Sequence, residues 1–481
     1  SAALASGNTV IFKSAPETVA TSWHLVNQLW QAGVPKDVLH FVSTEDNEIG
    51  QALITHEDVN AVILTGGYNT ALLFSSWKNE LNLLAETSGK NSMVLTACCD
   101  IDIAVKDLVQ SAFGHAGQKC SAASLAIVDK NIYENPNFKK QLLDAVQSLQ
   151  VGAGYKYSTS VGPIIKPAES SLQRALTTLD DGEEWLLEPK QLDQAGLLWS
   201  PGIKTNVKPG SWSHLNEWFG PLLAIMISPD LKTSVEWQNA TEFGLTAGIQ
   251  SLDQGECEYW IENVEAGNLY VNRGVTGAIV NRQPFGGWKK SSVGATAKAG
   301  GSNYVATLRN WHQMKHFLPM KEAANKWLNA VGKLALDKSG LEVEKNYQRY
   351  RSYKNGFLIR IESGTSKDEL DFLSWLKNDL GVITRLSSDT LIPRLPNLVV
   401  ETAAEFAEHA KEFDRARWLS SEIAPINALM ENGISCDMRP ITSRGDVEMS
   451  RWFLEQSVSI THHRYGNTNA GPKPLCKGLY K

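Results

Sequence analysis

FGHAGQKCS, residues 113–121, sets a cysteine behind a glycine turn, between a helical pattern over 101–113 and a strand pattern over 124–128. Lys119 precedes Cys120 and Ser121 follows it. The thiolate is the nucleophilic form of cysteine, and nearby cations and oriented backbone N–H groups ease its formation. Taken alone, one cysteine in a long chain is more often a small buried hydrophobe. The glycines and the lysine around Cys120 argue the other way.

The alternation extends outward from that turn in both directions. Upstream, the apolar pattern predicts strands over 9–12, 38–42, 61–64 and 92–96, with helices over 18–32 and 49–55. Downstream it predicts a helix over 138–149, strands over 222–227, 245–249 and 269–271, and a helix over 256–264. A helical stretch at 321–336 leads to a second run, with strands over 357–362, 382–386, 398–401, 417–419, 434–438 and 457–462. Its helices fall at 367–380, 403–413, 423–432 and 447–456. Such alternation is the pattern of βαβ units, so the fold class is α/β with parallel sheet. Neither run carries GxGxxG after a strand. The nearest approach is Gly152-Ala153-Gly154, where the third glycine position is Tyr157.

Composition narrows the function classes. A chain of 481 residues is long enough for two or three domains, and 42% hydrophobic with 20% charged residues excludes a largely disordered one. The net charge of −6 and the lack of a basic block leave nucleic acid without an electrostatic footprint. The apolar run PLLAIMIS (221–228) is far short of the ~20 residues that span a bilayer. Six cysteines without paired spacing suggest reduced thiols and a cytoplasmic protein. The chain opens on Ser1, its first methionine is Met93, and no signal-like segment precedes the pattern.

Three further motifs bear on chemistry. AETSGKN (85–91) puts Glu86 in a loop-like stretch before a strand, where a carboxylate can activate water or simply be a solvated turn residue. EWFGP (217–221) sets an acid and an aromatic at a turn before a buried strand. QPFGG (283–287) allows close backbone approach, with Phe285 able to wall a pocket. Cys98-Cys99 and His462-His463 lack partners at metal-ligand spacing, and the Asn239 acceptor pattern matters only in a secreted protein.

In this order the four motifs resemble the aldehyde dehydrogenase superfamily over about residues 1–311. GQKCSA with GxxGAxxxxQPFGG, here running from Gly274 to Gly287, is similar to its L-glutamate γ-semialdehyde (Δ1-pyrroline-5-carboxylate) dehydrogenase branch. RGDVEMSRWFLEQSVSITHHRYGN with AGPKP resembles the C-terminal region of some bifunctional proline utilization A (PutA) proteins.

The resemblance implies a mechanism. Cys120 would be the nucleophile and Glu86 the base that hydrolyses a thioester; relatives that pass the acyl group to coenzyme A generally lack that Glu. It implies NAD as cofactor, held by Lys13, Gly50 in a cofactor loop, Thr65-Gly66-Gly67, Glu217 and Phe219. Where many relatives carry an acid three positions after the lysine, this chain has Pro16, then Glu17. Substrate contacts would come from Lys119, Ser121, Gly277, Ala278 and Phe285, and no metal is implied. Position 278 is Ser in some relatives and Ala here.

The resemblance also implies an organisation. Residues 1–86 would be the C-terminal half of an NAD domain whose N-terminal half is absent, and 87–290 the catalytic domain. Residues 291–340 would be a return segment and linker, and 341–481 a non-catalytic α/β domain. The chain would then begin after the family's oxyanion asparagine, as a fragment weak or inactive alone. A small aldehyde is the expected ligand. A homo-oligomer and a proline dehydrogenase domain in the same parent chain are candidate partners, the latter alone requiring FAD. The rival readings are a catalytically dead scaffold and a cofactor-independent cysteine hydrolase with His115 as base. Residues 457–465 are expected to be an extended segment that covers the catalytic domain. Truncation after Glu455 is therefore expected to depress dehydrogenase activity or assembly, measured by NADH formation and solution mass; both unchanged would exclude that role.

Overall fold

Runs of Val, Ile and Leu without polar alternation belong in strands buried on both faces. In the computed structural model such runs form the centre of one sheet. The structure describes all residues except 46, 296, 312–318, 383, 396, 469–475 and 479–481. The AGPKP motif at 470–474 lies outside the described residues. The chain divides into two units, each built from three segments: 1–86, 292–330 and 352–453 in the first, 87–291, 331–351 and 454–481 in the second. Of the stretch 341–481, therefore, 352–453 falls in the first unit, with segments of the second on either side.

The second unit holds a ten-stranded sheet. Its middle is parallel and runs Leu454–Thr461, Asn268–Val271, Thr246–Gln250, Asn91–Leu95, Ala123–Asp129, Leu222–Ser228, Gly202–Thr205. Antiparallel strands flank it, Glu184–Leu187 on Gly202–Thr205 at one edge and, on the other side, Glu344–Arg351 on Leu454–Thr461 with the short strand Leu336–Asp337 outermost. The helix Ile101–Phe113 has the expected bounds, started by the Asp100 carboxylate, which accepts from the Asp102 and Ile103 N–H groups. Its apolar side joins the core formed by Met93, Leu125, Ile127, Leu223 and Ile225.

Two differences from the sequence pattern have one cause. The helix expected over 447–456 spans only Gly445–Ser450, and the following strand begins at Leu454. Glu344–Arg351 (EKNYQRYR) was not predicted as a strand at all. Both segments bury polar side chains that sequence alone would place in solvent. Arg349 is fully buried, donating to Gln456 Oε1 (2.8 Å), Glu262 Oε1 (2.6 Å) and the Ile261 carbonyl (2.7 Å). Tertiary pairing overrides local propensity there.

The first unit contains three sheets. Val10–Lys13 pairs in parallel with Leu39–Val42. Val62–Thr65 and Leu83–Glu86 pair in parallel, with Ser292–Gly294 antiparallel on the latter. A five-stranded parallel sheet runs Val399–Val400, Thr384–Ser388, Phe357–Arg360, Arg415–Trp418, Ser435–Asp437. The second and third sheets meet through Ser435, whose hydroxyl accepts from Gly294 N–H (3.2 Å) and donates to the Ser292 carbonyl (3.2 Å). Arg415 adds a bond to the Gly294 carbonyl (2.7 Å). Among the described residues no helix is long and apolar enough to cross a membrane.

A buried charge network anchors the five-stranded sheet. Arg417 and Glu448 are 1% and 0% exposed and 2.5 Å apart. Glu448 also accepts from the Trp452 indole, Arg451 and the Thr442 N–H. Removing one member of such a pair leaves a buried charge short of a partner. Arg417→Met is expected to lower stability by about 3 kcal/mol, measured by urea unfolding with tryptophan fluorescence; a loss within error would show that the pair is not needed.

Candidate active site

After the helix Ile101–Phe113, three consecutive residues take left-handed backbone angles: His115 (φ 56°), Ala116 (φ 54°) and Gly117 (φ 66°). Each non-glycine residue there costs roughly 1–2 kcal/mol, and such strain concentrates at functional turns. Glycine is required at 117, since a Cβ would lie 2.1 Å from the Gly220 carbonyl oxygen. The cysteine turn thus backs directly onto the EWFGP turn. Gln118 strengthens the contact by donating to the Phe219 carbonyl (3.3 Å) while accepting from Ile165 N–H (2.9 Å).

Cys120 is exposed at the end of this turn, with Lys119 half-buried and Ser121 buried beside it. Asn91 fixes its backbone: the side-chain amide donates to the carbonyls of Cys120 (2.7 Å) and Ala122 (3.0 Å), and its oxygen accepts from Thr246 N–H (3.0 Å). A Cβ on Gly89 would come within 3.1 Å of the Cys120 carbonyl, so AETSGKN and GQKCS touch at Cys120. Tyr270 is buried in the neighbouring strand with no hydrogen bond to its hydroxyl. Burial chiefly, and Cys120 to a lesser degree, raise its pKa, with Arg273 opposing.

Glu217 accepts from the Gly89 N–H (3.0 Å). Burial raises its pKa above the ordinary carboxylate value, against the Gly89 N–H, the Ser88 side chain and the Lys90 charge. Phe219 follows with φ 47° and is 42% exposed. Lys90, which the motif contained but sequence reasoning did not single out, is 4% exposed with no hydrogen bond to its ammonium. It lies 3.1 Å from the centroid of the Trp218 ring. Burial pushes its pKa well below the ordinary lysine range, partly offset by Glu217.

The loop 274–287 begins after the strand Asn268–Val271. Gly277 (φ 88°) and Ala278 are exposed, and Phe285 is half-buried. His115, the base a cysteine hydrolase would need, is exposed within the left-handed run.

The remaining candidates belong to the first unit. Lys13 ends its strand. Gly50, expected in a loop, lies instead in the first turn of the helix Glu48–Thr55, which Asn47 caps. A Cβ there would meet the Glu45 carbonyl at 3.1 Å, Thr44 Oγ1 at 3.4 Å and Lys13 Cε at 3.6 Å. Beside it opens a cavity of about 380 Å³ lined by Pro16, Ser43, Thr44, Glu45 and Asn47. Thr65 ends the strand Val62–Thr65 and Gly67 caps the ten-residue helix Tyr68–Trp77, whose first-turn N–H groups have no acceptor within the helix. Glu86, expected in a loop, is the last residue of the strand Leu83–Glu86, opposite Thr65 on one side and Ser292 on the other. The Gly66 N–H donates to its carbonyl (3.2 Å). Tyr304 lies within electrostatic reach: burial, then the Glu86 charge, raise its pKa. A cavity next to a lysine and a glycine-led helix start fit the adenosine and pyrophosphate parts of a dinucleotide.

The family model described as "Aldehyde dehydrogenase family" matches residues 1–316. The chain belongs to the aldehyde dehydrogenase family. Within it, the chain is 31% identical over 315 residues to the 1-pyrroline-5-carboxylate dehydrogenase of Geobacillus sp. (strain WCH70), an alignment covering 63% of this chain and 60% of that protein. The structure of PutA from Corynebacterium freiburgense matches 97% of this chain at 40% identity and TM-score 0.85, covering 48% of that chain. A Thermus 1-pyrroline-5-carboxylate dehydrogenase with bound NAD matches 63% of this chain at 30% identity and TM-score 0.58, covering 59% of its own length. The chain thus has the aldehyde dehydrogenase fold and spans about 60% of the curated relative and about half of the PutA chain.

The raised pKa of Glu217 makes a stability prediction. An acid whose pKa rises on folding contributes stability that is present below its unfolded pKa and lost as pH rises through the folded value. Glu217→Gln keeps the acceptor oxygen without the charge. Between about pH 4 and pH 8 the melting temperature of the variant is expected to rise relative to that of the wild type, both measured without cofactor; a constant difference would refute it.

Proposed function

We propose that the chain oxidises L-glutamate γ-semialdehyde to L-glutamate with NAD as hydride acceptor, in proline catabolism. The observation that carries the reading is the Ser88–Asn91 turn. It holds Glu217 through Gly89 and the Cys120 backbone through Asn91, so nucleophile and cofactor anchor are built on one support. The names of the relatives, and the likeness of the four motifs to that branch of the family, support the same substrate.

 In the proposed cycle the Cys120 thiolate adds to the aldehyde carbon, giving a thiohemiacetal. Bound NAD would supply the hydride acceptor, and departure of the hydride from that carbon would leave a thioester on Cys120. Glu86 takes a proton from water, which attacks the thioester carbonyl and releases L-glutamate and the free thiolate. Lys13 and Gly50 would flank the adenosine ribose, Thr65-Gly66-Gly67 the pyrophosphate, and Glu217 the nicotinamide ribose, with Phe219 against the nicotinamide end. Backbone N–H groups of Gly277 and Ala278 and the Ser121 hydroxyl would receive the α-carboxylate. Lys119 would lie beside the substrate and Phe285 would pack on its methylenes. A proline dehydrogenase domain in the same protein would supply the semialdehyde, and the six free cysteines agree with a reducing, cytoplasmic setting.

The test supplies Δ1-pyrroline-5-carboxylate and NAD to the full-length protein and follows NADH. Cys120→Ala is expected to form none. Glu86→Gln is expected to give one NADH per site and then turn over about 10²–10⁴-fold more slowly. Full activity of Cys120→Ala would overturn the reading, and acid release without NAD would favour the hydrolase.

A further inference from the structure

The antiparallel strand Glu344–Arg351 does more than extend the ten-stranded sheet. Glu344, the first residue of the strand Glu344–Arg351, lies beside the two ends of the loop 274–287. Its buried carboxylate accepts from Arg273 Nη1 (2.8 Å), just before the loop, and from Arg282, near the loop's far end. Asn346, two residues on and on the same face of the strand, donates to Glu344 (3.0 Å). The Asn346 oxygen accepts from Gln283 Nε2 (2.7 Å) and from the Ser459 hydroxyl (3.0 Å). Gln283, 1% exposed, passes the restraint inward: its side-chain oxygen accepts from the Ile279 N–H (3.1 Å) and its own N–H donates to the Ile279 carbonyl (2.7 Å). The Ser457 hydroxyl holds the next carbonyl, that of Pro284 (2.5 Å).

We propose that Glu344 and Asn346 are positioning residues that set the substrate selectivity of the site, by clamping both ends of the loop that receives the α-carboxylate. This rests on the functional reading above. Between the clamped ends, Gly277 and Ala278 are exposed, and Gly277 has a left-handed backbone. The exposed stretch 277–281 has to be ordered from its ends, because donors that move must be fixed again at each binding event. Glu344 also neutralises two guanidinium groups held at one place. Without its charge they repel, and the ends of the loop separate.

The clamp acts on the carboxylate end of the substrate, so its loss should alter selectivity more than chemistry. In the full-length protein, Glu344→Gln is expected to lower the ratio of kcat/KM for glutamate semialdehyde to kcat/KM for propanal, which lacks the carboxylate, by about tenfold. The affinity for L-glutamate, measured by calorimetry, should fall by a similar factor, with the KM for NAD unmoved. Adding Arg282→Gln to Glu344→Gln should restore part of the selectivity by removing the repulsion. Lys345→Ala, on the same strand but bonded to the Leu341 carbonyl, serves as a control that should change neither ratio nor affinity. Should Glu344→Gln not fold, Asn346→Ser carries the same measurements with the same expected direction. An unchanged ratio, or an equal loss for both aldehydes and NAD, would overturn the clamp while leaving the functional reading intact. A wild-type protein that neither oxidises the semialdehyde nor binds L-glutamate would overturn both.

Discussion

One side-chain amide holds the Cys120 end of the second unit together. Asn91 begins the strand Asn91–Leu95, where the register with the neighbouring strand shifts. Its donor bonds the carbonyls on either side of Ser121, and its acceptor takes the first N–H of the strand Thr246–Gln250. A single buried group therefore joins three segments at the point where Cys120 leaves the sheet. An amide suits this position because it can donate twice and accept at once, leaving no buried polar atom unpaired. Aspartate would lose both donor bonds, and leucine all three.

Around that point the motifs fit together as a set of close approaches. Gly117 lies against Gly220 at a distance that excludes a side chain, and Gly89 lies tightly against the Cys120 carbonyl. The glycines scattered through the motifs are thus the contact points between turns as much as hinges within them. The charges follow the same arrangement. Glu217 is raised by burial and Lys90 is lowered by it, and each partly offsets the other. A dry pair of this kind ties the ionisation of the Glu217 carboxylate, the proposed cofactor anchor, to that of a lysine that faces an aromatic ring rather than water.

Much of this was legible in the sequence. The helix Ile101–Phe113 has the bounds its sequence pattern predicts, and the buried strands are displaced by only a residue or two. The motifs also named the turns that meet. What escaped notice was polar and buried. Lys90 and Asn91 stood inside a quoted motif, but only tertiary contact shows that one ammonium faces a ring and one amide holds a nucleophile's backbone. EKNYQRYR looked like surface because nothing local reveals that Arg349 finds its partners from three other segments. Glu86 looked like a loop residue because the strand that flanks it, Ser292–Gly294, lies over two hundred positions away.

The interleaving of the two units has a consequence for how the molecule is made. The chain leaves the second unit at residue 291, returns for 331–351, and leaves again before its last strand arrives at 454. During synthesis the strand Asn268–Val271 is complete about 180 residues before its neighbour Leu454–Thr461 begins, so over that stretch of translation its side of the sheet is an open edge. Open parallel edges are slow to pair and prone to pairing wrongly. The sheet therefore depends on a strand made long after its neighbours, and a chain released before residue 454 would present that edge to its neighbours.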